Sequence, residues 1–302
     1  MNVLLTGATG FIGKYLQRRS SFRYVVRSST EHLLEDVFEI PQLDSNTDWN
    51  NAFNGIDCVI HLAGLAHSNS FTDKDYQNVN VDGTLRLASE GAKAGVKRFI
   101  FVSSIGVNGY STKKLPFSVN SVASPHNSYS KSKYDAEEGL KVISANTGME
   151  LVIIRPTLVY GPGAPGNFRA LAKLVKKSPV LPFGLLDNER SFIAVQNLVD
   201  LLITCTKHPN AAGKTFIASD GPVVSIKDFT NAIAKGMGKK KLQLPVPLIA
   251  MRLIGKAFGK SAAIEQLLCN LEVDSSYVTQ ELGWKPPYTM EESMKSLKEV
   301  NK

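Results

Sequence analysis

The run "NVLLTGATGFIG" at the N-terminus constrains this chain most, because it sets three glycines at fixed spacing directly behind a short apolar strand. Residues 2–6 read as a buried strand, and the turn behind it opens a helix. Gly7 permits the tight turn, Gly10 lets the backbone approach a pyrophosphate, and Gly13 lets the helix pack close to the strand. The N–H groups at the helix start supply donors for the anion. In this context the pattern predicts a dinucleotide-binding βαβ unit.

The first half of the chain repeats that theme. "YVVR" (24–27), "DCVIHLA" (57–63), "RFIFVSS" (98–104) and "ELVIIR" (150–155) read as uninterrupted buried strands. Helical patterns lie between them at 74–95 and 129–147, the latter ending at Gly148. Alternation of this kind means a parallel sheet covered on both faces. After Pro156 the texture changes, with Gly and Pro clustered in "YGPGAPGN" (160–167). The expected architecture is α/β, a Rossmann-type doubly wound parallel sheet with a smaller, partly interleaved C-terminal lobe. Residues 1–160 form the dinucleotide domain and 161–302 mainly the substrate lobe, with a segment near 191–217 returning to the first.

Charge and cysteines narrow the function classes. A net charge of +8 fits an anionic ligand or simple solubility. The basic run "GKKKL" (Lys239–Lys241) lacks interleaved aromatics and any nucleic-acid motif, so it reads as a solvated loop and nucleic acid is not an expected partner. No apolar run reaches the roughly 18 residues that cross a bilayer. The start shows no basic leader, and Cys58, Cys205 and Cys269 are isolated among apolar neighbours, as reduced thiols. These features point to the cytoplasm and to no metal.

Two further stretches carry chemistry. The second strand ends "VVRSS", with no carboxylate until Glu31. A carboxylate there would bind a ribose diol and favour NAD, whereas Arg27 with Ser28 and Ser29 suits a 2′-phosphate. NADP(H) is therefore favoured, with NAD(H) possible if Arg27 stacks on adenine. In "NSYSKSKYDAE" (127–137), Tyr129 shares a helix face with Ser132 and Lys133, while Lys131 at i+2 points away. Only the pairs Tyr129–Lys133 and Tyr129–Ser132 can cooperate.

The glycine loop, a Ser in "FVSSIGVNG" and Tyr129-x-x-x-Lys133 occur in that order, and "VIHLAG", "NVNVDGT", "AGVKRFIFVSS", "VIIRPTLVYGPG", "ERSFIAVQNLVDLL" and "LGWKPP" extend the likeness. The chain resembles the extended short-chain dehydrogenase/reductase superfamily of nucleotide-sugar epimerases, dehydratases and reductases over nearly its whole length. That resemblance implies a catalytic set of Ser104, Tyr129 and Lys133. Tyr129 is the general acid/base, Ser104 bonds the substrate oxygen, and Lys133 holds the nicotinamide ribose and favours the phenolate. The implied cofactor contacts are Gly7, Gly10, Phe11, Ile12, Gly13, Arg27, Leu62, Ala63, Gly64, Tyr129, Lys133 and Pro156. Ser103 and His61 read as structural, and Asn80 as a support for the active-site helix. Asn167 and Arg190, together with Ser104, are the implied substrate contacts. A surface ion pair of Arg190 with Glu189 or Asp187 is the alternative.

Departures from the family pattern bear on the sugar. Asn108 stands where a Tyr is common, Leu158 where an Asn is frequent, and both would surround the sugar. A usual adenine-binding Asp falls at Gln42 or Leu43, unless Asp44 shifts into place. The implied activity is hydride transfer at C4 of a UDP-hexose or UDP-N-acetylhexosamine. Without an acidic ribose clamp, a 4-keto reductase is favoured over a 4-epimerase with tightly bound NAD. A dehydratase would need acidic residues where Ile105 and Gly106 stand, and a non-catalytic dinucleotide sensor would not need the intact Tyr–Lys pair. The resemblance also implies a homodimer formed by helix packing and a role in surface polysaccharide synthesis.

"PLIAMRLIGKAFGK" (247–260) remains outside this reading. Arg252, Lys256 and Lys260 recur at i, i+4 and i+8 among Leu248, Ile249, Leu253, Ile254 and Phe258. The pattern suits a helix on an anionic membrane. It suits equally a helix with its apolar side on the core and its lysines in water, and that second reading is the expected one.

Overall fold

Seven strands form one sheet in which every pairing is parallel, in the order β3-β2-β1-β4-β5-β6-β10. The computed structural model describes residues 1–20, 22–66 and 70–301. The chain begins with β1 (Val3–Thr6), α1 (Phe11–Leu16), β2 (Arg23–Arg27), β3 (Val37–Ile40) and β4 (Cys58–His61). A long helix follows in three segments: α2 (Asp73–Tyr76), a π-helical stretch (Gln77–Gly83) and α3 (Thr84–Lys93). Next come β5 (Arg98–Val102), α4 (Ser128–Thr147), β6 (Glu150–Pro156), β7 (Leu158–Tyr160), α5 (Gly166–Lys177) and β8 (Val180–Leu181). Then β9 (Phe192–Ala194), α6 (Val195–Lys207), β10 (Thr215–Ala218), α7 (Ile226–Gly236) and β11 (Leu242–Gln243) complete the strands. Four helices close the chain: α8 (Leu248–Ala257), α9 (Ser261–Leu268), α10 (Ser276–Leu282) and α11 (Met290–Lys295).

The central strands are apolar without interruption because both faces are covered. Leu5, Ile60, Ile100, Val152 and Ile154 face one core, where Leu198, Leu201 and Leu202 of α6 pack on them. Leu4, Val59, Phe99, Phe101 and Ile153 face the other, beneath Leu87 of α3 and Ala136 and Leu140 of α4. Two strands lie outside the five read from the sequence. β3 is only half-buried, and β10 joins the sheet beside β6 after a chain excursion of more than fifty residues. The strand order reverses between β1 and β4, the switch point where doubly wound sheets bind ligands.

A second core, built on Phe168, Phe183, Phe192 and Phe229, lies in the C-terminal lobe, with Phe192 and Phe229 stacked at 3.9 Å. The lysine run is not simply solvated there. Lys239 Nζ donates to the Lys176 carbonyl at 2.9 Å and Lys241 Nζ to the Ser178 carbonyl at 2.6 Å, capping the C-terminus of α5. Helix α8 overturns the expected core helix. Only Met251 and Gly255 are buried, while Leu248, Ile249, Leu253, Ile254 and Phe258 are exposed. Gly255 explains the narrow contact, because a Cβ there would sit 2.7 Å from Ile264 of α9. The helix is held to α9 by that close-packed edge and by the ion pair of Arg252 with Glu265 at 2.8 Å.

Candidate active site

The glycine loop is shaped by what presses on it. Gly7 has φ of +73°, and a Cβ on it would lie 2.7 Å from the Ala63 backbone nitrogen. At Gly13 a Cβ would meet the Gly7 carbonyl at 2.3 Å, so α1 lies against the turn as the spacing predicts. Thr6, at the end of β1, ties this turn to the neighbouring strand. Its Oγ accepts from the Ala63 N–H at 3.1 Å and lies 2.7 Å from His61 Nδ1. His61 bonds Thr84 on its other nitrogen at 2.9 Å. Burial pushes its pKa down to about 3, so the imidazole is neutral and structural.

Gly7, Gly10, Arg27, Leu62, Ala63 and Gly64 line a single cavity of about 280 Å³ at the switch point. Phe11 faces a neighbouring cleft with Lys14, Tyr15 and Arg18, whereas Ile12 packs on the core and Pro156 is buried at the end of β6. Leu43 and Trp49 complete the wall of the first cavity. Asp44 does not shift into the adenine position. Its carboxylate takes the Asn46 N–H at 2.8 Å and the Gln42 amide, leaving Leu43 as the lining side chain. The buried Trp49 Nε1 has no hydrogen-bond partner among the described residues. A donor without a partner and a turn with no room for a Cβ both fit a dinucleotide in this cavity.

Helix α4 delivers the reactive side chains. Asn127 caps it through the Ser130 N–H at 2.8 Å, and Gly148, with φ of +74°, ends it. Lys131 points to solvent and pairs with Asp135 at 2.9 Å, as its i+2 position requires. On the opposite face Tyr129 lies near Ser104, whose hydroxyl pulls its pKa down, and edge-on to Tyr76 at 6.2 Å. The Ser104 Oγ accepts from the Gly106 N–H at 3.1 Å, which fixes its direction. Lys133 is buried. Its Nζ donates to the Val102 carbonyl at 3.0 Å, lies over the Phe101 ring at 4.7 Å, and would be 3.6 Å from a Cβ on Gly64. The π-helical stretch seats Asn80 so that its Nδ2 donates to Ser132 Oγ at 3.0 Å and its Oδ1 accepts from the Leu65 N–H at 2.7 Å. Asn80 thus ties α4 to the cavity wall.

The electrostatics correct one expectation. Burial pushes Tyr129 up to about 12, and the group that pulls it down is Ser104, not Lys133. Burial also pushes Lys133 down to about 8, against the pull of Glu137. The ammonium is turned to a carbonyl and a ring face, so the protein alone leaves the phenol protonated.

Asn108 and Arg190 also differ from expectation. Asn108 is buried, and its Oδ1 accepts from Arg155 at 3.1 Å rather than facing a sugar. Leu158 packs partly buried against the second-lobe core. Arg190 forms no surface ion pair. It is buried, and its Nη1 donates to the Gln266 carbonyl at 2.7 Å and the Cys269 carbonyl at 2.8 Å. Asn167 sits exposed in the first turn of α5. Sequence reasoning missed the Glu137–Arg155 pair. Its signal was present, since Arg155 is a lone charge inside the buried run "LVIIRP" and Glu137 follows Lys133 at i+4.

A family model for the NAD dependent epimerase/dehydratase family matches residues 3–218. The chain belongs to this family. It is therefore an enzyme of the extended short-chain dehydrogenase/reductase type, whose family is NAD(P)-dependent. It is 41% identical to a UDP-glucose 4-epimerase of Vibrio cholerae, over 97% of this chain and 93% of that protein. An N-acetyl-alpha-D-glucosaminyl-diphospho-ditrans,octacis-undecaprenol 4-epimerase of Escherichia coli O157:H7 is 27% identical over the same shares. In architecture the chain is similar to a UDP-glucuronic acid 4-epimerase from Bacillus cereus in complex with NAD. That likeness has a TM-score of 0.77 and 20% identity, and it covers 100% of both chains. Among the described residues no helix is long and apolar enough to cross a membrane, and no group of His, Cys, Asp and Glu could hold a metal ion.

Proposed function

We propose that the chain is a 4-epimerase of a diphosphate-linked hexose, with UDP as the carrier. The observation that carries this reading is the placement of Tyr129 beside Ser104, next to the Gly64–Lys133 edge of the dinucleotide cavity. The full-length likeness to a UDP-glucose 4-epimerase supports the substrate class. Gly7, Gly10, Leu62, Ala63, Gly64, Trp49 and Arg27 would hold the dinucleotide, and Lys133 its nicotinamide ribose. When bound, it supplies the hydride acceptor and donor at C4. Tyr129 takes the proton from the 4-hydroxyl as the sugar is oxidised and returns one when the 4-keto group is reduced on its other face. Ser104 holds the reacting oxygen against Tyr129, and Asn167 stands at the start of the lobe that takes the diphosphate. Arg190 acts as a brace between that lobe and α9. Cytoplasmic location, a homodimer and a place in surface polysaccharide synthesis belong to the same reading.

A 4-keto reductase is the second reading, favoured by one feature. Arg27 is exposed at the end of β2 with no carboxylate beside it, which suits NADPH, a cofactor that is released after each turnover. Incubation of the purified protein with UDP-glucose or UDP-N-acetylglucosamine, without added dinucleotide, separates the two. An epimerase yields the galacto isomer. Stoichiometric NADPH oxidation by a UDP-4-keto sugar, with no interconversion of the two hexoses, would replace this proposal with the reductase.

A further inference from the structure

The exposed face of α8 has no role in the reaction, and its composition is unusual for a solvent-facing helix. Ile249 is 72% exposed, Leu253 63%, Ile254 54% and Phe258 74%. Ile249, Leu253 and Ala257 recur at i, i+4 and i+8 along the side opposite the buried Met251 and Gly255. Arg252 and Lys256 run beside this ridge, and Lys260 stands at the turn into α9. Water gains nothing from such a ridge, and contiguous exposed apolar surface marks a docking face.

Charge selects the occupant. Between residues 239 and 268 the chain carries six lysines or arginines against one carboxylate, Glu265. Glu265 is taken by Arg252 at 2.8 Å. The segment thus holds a net +5 of the chain's formal +8. Two copies of a face so charged repel one another, and an acidic surface attracts it. An apolar ridge edged by lysines is the pattern of a helix lying in the plane of a bilayer interface.

We propose that α8 is a membrane-docking helix that seats this enzyme on an anionic phospholipid surface. The ridge Ile249–Leu253–Ala257, with Ile254 and Phe258 flanking it, enters the headgroup boundary. Lys256 and Lys260 meet the lipid phosphates. Behind α8, α9 leads towards the site. The Ala262 carbonyl accepts from Tyr110 Oη at 3.4 Å, and the Tyr110 ring packs edge-on against His126, at 5.2 Å, just before α4. Docking would therefore be linked to the start of the active-site helix through α9, Tyr110 and His126. The proposal stands independently of which sugar reaction the site performs.

Co-sedimentation of the full-length protein with phosphatidylcholine vesicles, with and without phosphatidylglycerol, tests this. The expected result is pelleting at low ionic strength with phosphatidylglycerol present, and release as salt rises. Lys256→Glu/Lys260→Glu should weaken vesicle binding by at least about fivefold for each basic charge removed. Ile249→Gln/Leu253→Gln should weaken it about tenfold or more without changing charge. All these side chains are exposed, so unchanged thermal melting and UDP-sugar turnover are expected in both variants. Wild-type protein that stays in the supernatant at low ionic strength overturns the proposal, as does equal pelleting of both variants. So does a dimer in light scattering that Leu253→Gln dissociates while vesicles bind nothing.

Discussion

Two successive stretches of α4 carry buried ionisable groups and treat them in opposite ways. Glu137 is fully buried, and each of its oxygens has a partner. Arg155 meets it at 2.9 and 2.5 Å, and Ser103 at 2.5 Å. Arg155 passes a further bond to Asn108. One turn earlier Lys133 is almost as deeply buried, yet among the described residues its ammonium meets a carbonyl and a ring face, and burial lowers its pKa to about 8 against the pull of Glu137. Burial raises Tyr129 to about 12, against the pull of Ser104. The satisfied pair locks α4 to β6. At the other end burial raises Tyr129 and lowers Lys133, and such perturbed titrations are the usual mark of a reactive site.

Breaking the reactive end should have the largest effect. Tyr129→Phe removes only the acid/base hydroxyl, so turnover should fall by about 10²–10⁴ while dinucleotide binding is retained. A variant keeping more than half of wild-type turnover would contradict the assignment. Breaking the satisfied end should cost stability instead. Arg155→Met leaves Glu137 buried without its counter-charge, a loss of about 3–5 kcal/mol by denaturant unfolding. Adding Glu137→Leu should recover much of that loss, and a double variant no more stable than the single would show that the pair acts otherwise.

Lys133→Met sharpens the contrast because its sign is reversed. In the folded chain Lys133 titrates near 8, below the roughly 10.4 of an unfolded lysine. The unfolded state therefore holds more protons between these values, and wild-type stability rises with pH across that window. The penalty is fully present below pH 8. Lys133→Met should thus be inactive yet more stable at pH 7 by about 2 kcal/mol, after the lost bond to Val102 is allowed for. The advantage should shrink as pH rises from 8 to 10.4, and a variant less stable than wild type at pH 7 would count against the burial argument. Lys131→Ala, at the exposed surface of the same helix, should change stability and turnover least, within about 0.5 kcal/mol.

What the sequence makes legible here follows from how local each feature is. The central strands declare themselves because both faces are buried, and the Tyr129–Lys133 face follows from helical spacing alone. β10 was legible only as part of a segment near 191–217 returning to the first domain, and not as a strand, because its partner β6 lies far back in the chain. Asn108 was expected beside the sugar and Arg190 on its diphosphate, yet each has a distant partner, Arg155 at a separation of 47 residues and Gln266 at 76. Helix α8 was misread because its amphipathic pattern cannot say which side meets the protein. Gly255 settles that by making its own edge the closest contact. Trp49 carried no local signal, since its meaning lies in a cavity shared with Gly7 and Arg27.

The central claim is that Tyr129 and Ser104 serve a hydride transfer at C4 rather than a proton abstraction from carbon. Turnover of UDP-glucose or UDP-N-acetylglucosamine in deuterium oxide, followed by proton NMR of the product, tests it directly. The account predicts the galacto isomer with its C4 hydrogen retained, and no deuterium at C4 after full equilibration. Solvent deuterium appearing at C4, or turnover that survives Tyr129→Phe, would contradict it.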